Sequence, residues 1–148
     1  SKKQKRIYYV VDKMLEWSDI QVVEAFKLFN DVREKSQGLL EQLDYETNGA
    51  SLDQMMKLVK KVISATPEEL KNSTEFNNLI KVMQNYREYF TDYPDKNNAS
   101  SVEVKEDWKD KDFTSWYGTI FRFGFGGPAI KFDKAVTALV NKILESQK

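Results

Sequence analysis

Apolar residues recur at three- and four-residue spacing in one stretch after another, and that repetition restricts the chain to helices packed side by side. Ile7, Val10, Val11, Met14 and Trp17 make a first stripe, over a helix from about Lys5 to Trp17. Ser18 and Gln21 then stand at the spacing of a capping box, in which each side chain satisfies the other's backbone N–H. They open a long helix from Asp19 to about Tyr45. Its seam is Val22, Phe26, Phe29, Ser36, Leu40 and Leu43, widened by Val23, Ala25, Val32 and Leu39. Asn48-Gly49 supplies a left-handed stop.

Ser51 and Gln54 repeat the capping-box spacing before a helix from Leu52 to Ala65. Leu52, Met55, Met56, Val59, Val62 and Ile63 form its apolar face, with the two methionines as core filler. Thr66, Pro67 and Glu69 give a further start signal, for a short helix to about Lys71. Next comes a helix from Thr74 to Phe90, with Phe76, Leu79, Ile80, Met83, Tyr86 and Phe90 aligned. A final helix from Pro128 to Glu145 carries Phe132, Val136, Leu139 and Ile143, flanked by Ala135, Val140 and Leu144. The expected fold is all-α, an antiparallel bundle of four to five helices in one domain spanning 1–148.

One stretch breaks this logic. Asp112 to Pro128 mixes Trp116, Tyr117, Phe121, Phe123 and Phe125 with Gly118, Gly124, Gly126 and Gly127. Aromatics favour extended chain, and interior glycines weaken a helix. Phe121, Phe123 and Phe125 alternate with Arg122 and Gly124, as in a half-buried strand. Gly126-Gly127-Pro128 is a breaker ahead of the last helix. The expectation is an irregular or short extended segment before that helix. Val102 and Val104, alternating with Glu103 and Lys105, form a second candidate strand that could pair with Ile120–Phe125.

The run SWYGTIFRFGFGG also resembles, through Trp116, Phe125, Gly126 and Gly127, the first homology motif of the B-cell-lymphoma apoptosis regulators. Asp112 sits where that family often has an acid. Gly118 falls one place late, the arginine expected after it is missing, and no Leu-x-x-x-Gly-Asp helix precedes the run. The resemblance covers about a tenth of the chain, and no family is assigned from it.

Composition narrows the chemistry. With 41% apolar and 31% charged residues the chain has a globular rather than a disordered composition. A formal net charge of zero removes the basic footprint of a nucleic-acid binder. There is no cysteine and no histidine, so thiolate and imidazole chemistry is excluded, along with the commonest transition-metal ligands. No cofactor is expected. Asp107, Asp110 and Asp112 are spaced acids around Trp108, but the glycine and the terminal glutamate of a calcium loop are missing. No apolar run is long enough to span a membrane. The Ser-Lys-Lys-Gln start suits the tether of an exported or lipid-anchored bacterial protein.

These absences point away from an enzyme. They leave a non-enzymatic interaction module of inhibitor, immunity or adaptor type, binding another protein through its aromatic and glycine segment. Trp108, Trp116, Tyr117, Phe121 and Arg122 are the candidate contact residues, since Trp, Tyr and Arg dominate interface energetics. The alternative is a helical protein that encloses a small hydrophobic ligand.

Overall fold

The computed structural model describes residues 13–35, 52–92, 102–109 and 127–148. Among the described residues four α-helices form a bundle: α1, Asp19–Lys35; α2, Leu52–Ser64; α3, Thr74–Asn85; and α4, Gly127–Glu145. Two single turns of 3-10 helix, Glu68–Leu70 and Glu106–Trp108, lie in the connections. No described helix is long and apolar enough to cross a membrane.

α1 starts where its cap directs. Ser18 N–H donates to Gln21 Oε1 at 3.0 Å, and Gln21 N–H donates to Ser18 Oγ at 3.3 Å. Both halves of the capping box are therefore made. α3 is capped by Ser73, whose Oγ accepts from Phe76 N–H at 3.2 Å. α2 and α4 follow the expected bounds to within a residue. The C-terminal part of the long helix, beyond Lys35, lies outside the described residues, as does the Ser51 cap of α2.

α4 is the central element. It packs most extensively on α3, then on α1, and also touches α2, while α1 and α2 pack on each other. Its Phe132, Ala135, Val136, Leu139, Val140 and Ile143 are all buried in one core cluster. Val22, Val23 and Phe26 of α1, the apolar face of α2, and Phe76, Leu79, Ile80 and Met83 of α3 complete that cluster. Leu58 and Val82 are buried too, so α2 and α3 bury wider faces than their periodic stripes mark. Met55 and Met56 are core, as expected.

Three local expectations are corrected. The helix expected to reach Phe90 ends at Asn85, and Phe90 instead forms an antiparallel bridge with Val104. Val104 thus pairs with the chain after α3, while the candidate pairing with Ile120–Phe125 lies outside the described residues. Thr66 does not cap the short helix. Its buried hydroxyl donates back to the Val62 carbonyl at 3.1 Å, and the following 3-10 turn starts at Pro67 with no side-chain cap. Trp17 leaves the stripe to which Met14 belongs. Met14 is fully buried, whereas Trp17 is 37% exposed beyond a turn that ends the segment. Lys61 of α2 holds that turn, donating from Nζ to the Trp17 carbonyl at 2.8 Å.

Candidate functional site

The described part of the site is the strap that carries Trp108. Extended backbone at residues 102–105 lies against the chain leaving α3. Thr91 N–H donates to the Glu103 carbonyl at 2.9 Å, and Lys105 N–H donates to the Tyr89 carbonyl at 2.8 Å. These bonds flank Phe90 and Val104, so the two residues form the pair type in which side chains approach most closely. Both are buried, as is Val102. The strap is thereby pinned into the core from one side.

A second anchor comes from α2. Lys60 Nζ donates to Glu103 Oε1 at 2.7 Å, and the lysine side chain is only 18% exposed. Asp53 of α2 lies close enough to Lys109 to favour its charged form. Lys109 ionises above the usual lysine value, first because Glu106 bonds its ammonium, at 2.9 Å. The strap therefore carries charges of both signs, and α2 beside it supplies Lys60 as a partner.

The strap ends in the 3-10 turn that presents Trp108. Trp108 N–H donates to the Lys105 carbonyl at 2.9 Å, which closes the turn. Because Lys105 is also clamped to Tyr89, the Trp108 and Tyr89 rings are brought together. They meet edge to face, with centroids 4.7 Å apart and planes at 83°. Tyr89 is in turn edge-on to Phe90 at 6.4 Å and tilted against Tyr86 at 6.3 Å. Aromatic pairs of this kind contribute about 0.5–1.5 kcal/mol beyond their buried area.

Tyr86, Tyr89 and Trp108 are half-buried: one side of each packs on the core and the other meets solvent. Arg87, Glu88, Glu106 and Asp107 are exposed around them. Partial burial, then the Glu88 carboxylate, raise the Tyr89 phenol above the usual 10.0. The arrangement is a shallow aromatic surface with a charged rim. It offers ring faces, ring edges and hydroxyls. Among the described residues, no group of three or more acids could hold a metal ion.

Of the sequence-predicted contact residues, Trp108 lies on this surface. Trp116, Tyr117, Phe121 and Arg122 lie outside the described residues. In the sequence Tyr86 fits a helical seam and Tyr89 lies off that seam, so neither is predicted as a surface partner of Trp108. Their pairing rests on the 89–91 to 103–105 bridge, which no sequence spacing encodes. The hint that was available is composition: Tyr89, Phe90 and Thr91 all favour extended chain over helix. No protein-family model matches the chain, and no curated protein or solved structure is significantly similar to it.

Proposed function

We propose that this protein is a non-enzymatic interaction module, which binds another protein through the aromatic surface built on Trp108 and Tyr89. One observation carries the reading. The Trp108 strap is pinned at the Phe90–Val104 bridge and at Lys60–Glu103, yet the Tyr86, Tyr89 and Trp108 rings stay half in solvent. Rigid aromatics with an apolar body and a polar tip lose little entropy on binding, and they are the residues that most often anchor interfaces. The exposed rim of Arg87, Glu88, Glu106 and Asp107 would set orientation more than affinity. In this proposal Trp116, Tyr117, Phe121 and Arg122, which follow Trp108 closely in sequence, extend the same contact surface.

The test is site-specific photo-crosslinking in cells of the natural source. A photoreactive residue at Asp107 should trap one discrete protein, and the same group at Glu24, exposed on α1, should not. Adding Trp108→Ala should abolish the Asp107 adduct while the far-ultraviolet circular dichroism stays helical. If no adduct forms at Asp107 and the purified protein instead binds a hydrophobic dye, the small-ligand reading replaces this one.

A further inference from the structure

Among the described residues, one side of the bundle is closed without a helix. α1 packs on α2 and α4, and α3 packs on α4, but α2 and α3 share no extensive contact. The strap fills that side. Asp53 and Lys60 stand two turns apart on one side of α2; the first lies near Lys109 and the second bonds Glu103. The strap therefore runs antiparallel to α2, while its Val104 bridges Phe90 beyond the end of α3. Its side chains alternate. Val102 and Val104 are buried in the core cluster, and Glu103 between them is exposed. Among the described residues, its main-chain bonds to the rest of the fold go to Thr91 and Tyr89.

We propose that the cleft between α2 and the chain leaving α3 is a receptor groove for an extended apolar–acidic–apolar segment of a partner protein, and that Val102-Glu103-Val104 is its resident, autoinhibitory occupant. The strap is held as an added strand is held in peptide recognition. Main-chain bonds run along one edge, alternate apolar side chains enter the core, and one acid meets a fixed cation. Lys60 supplies the charge complementarity. Its side chain is largely buried, so the Glu103 carboxylate at 2.7 Å is a partner that the groove requires. A foreign segment with the same alternation meets the same demands. Besides the two buried valines, the strap is retained by one bridge and by an ion pair whose carboxylate side is exposed, and such pairs hold weakly. Displacing the strap draws Trp108 away from Tyr89, so a filled groove and the assembled aromatic surface exclude each other. The groove does not depend on that surface being an interface.

The probe is a fluorescein-labelled peptide of residues 102–109, with binding read by anisotropy. In the full chain, Val102→Asp with Val104→Asp expels the resident strap. This variant should stay helical by far-ultraviolet circular dichroism. It should bind the peptide about tenfold or more tightly than the parent, whose own strap competes at high effective concentration. A peptide carrying Glu103→Lys should bind the variant about tenfold more weakly, and Lys60→Glu in the variant should restore its binding. If the double variant loses its helices, Glu103→Lys in the full chain takes its place. That change sets two cations together but keeps both valines, and it should bind the unaltered peptide more tightly than the parent does. The proposal is overturned if a helical strap variant binds the peptide no better than the parent, or if exchanging the two charges restores nothing.

Discussion

α2 and the Trp108 strap lie against each other and are held by opposite means. α2 is specified locally: its apolar residues recur on the helical period, it begins and ends near its sequence signals, and Lys57 and Asp53 pair one turn apart at 3.0 Å. The strap has no such period. It is held by the Phe90–Val104 bridge, by Lys60 and by ring contacts, all from residues distant in sequence. The helix therefore buries every large apolar side chain it has, while the strap ends with Trp108 only half covered. A locally specified element can serve stability alone. An element held from outside can end on a side chain that is only half covered.

The comparison can be broken by substitution, and the largest effects are expected in the helices. Phe26→Ala should lower the unfolding free energy by about 3–5 kcal/mol and Leu139→Ala by about 2–5 kcal/mol in urea denaturation, because each empties a fully buried site. Trp108→Ala should lower it by only about 1–2 kcal/mol, since the ring is half-exposed and loses its contact with Tyr89 and part of its packing on the core. Its main effect should be on partner binding, a loss of about 2 kcal/mol or more. A Trp108→Ala variant as unstable as Leu139→Ala would make the strap an ordinary part of the core.

Smaller effects sharpen the contrast. Ser18→Ala and Ser73→Ala should each reduce stability by about 1 kcal/mol by removing a helix cap. Lys60→Met should reduce it by about 0.5–1 kcal/mol or less, the range of partly exposed ion pairs. The smallest effect is alkaline. Tyr89 holds its proton more tightly folded than unfolded, so its contribution is complete below about pH 10 and is lost as pH rises through the folded value. Tyr89→Phe should flatten the stability profile in that alkaline window, read by urea midpoints at successive pH values.

Much of the helical frame is legible in the sequence because its determinants are local. Ser18 and Gln21 make the bonds their spacing predicts, and the stripe on α4 is buried as written. What was illegible depends on distant partners. Tyr89, Phe90 and Thr91 hint at extended chain, but nothing around Phe90 identifies residues 103–105 as the backbone that competes with the next helical turn, and so the expected end of α3 falls too late. Trp17 fits the stripe of Met14, yet the turn fixed by Lys61 of α2 carries it outward. Asn30 looks like one more polar residue until Thr137, far along the chain, is placed against it. Trp108 could be singled out by residue type alone, but its neighbour Tyr89 could not, because the contact exists only once the bridge has formed.

Native-state hydrogen exchange of the unmodified protein tests the division between frame and strap most directly. α2 and α4 should exchange only through global unfolding, so their amides should share the largest opening free energy and follow the denaturant dependence of the whole fold. Lys105 and Trp108 N–H, bonded to Tyr89 and Lys105 respectively, should exchange through a smaller opening that depends weakly on denaturant. Equal protection and equal denaturant dependence at Lys105, Trp108 and the core of α4 would show that the strap is an inseparable part of the frame, and would contradict the account.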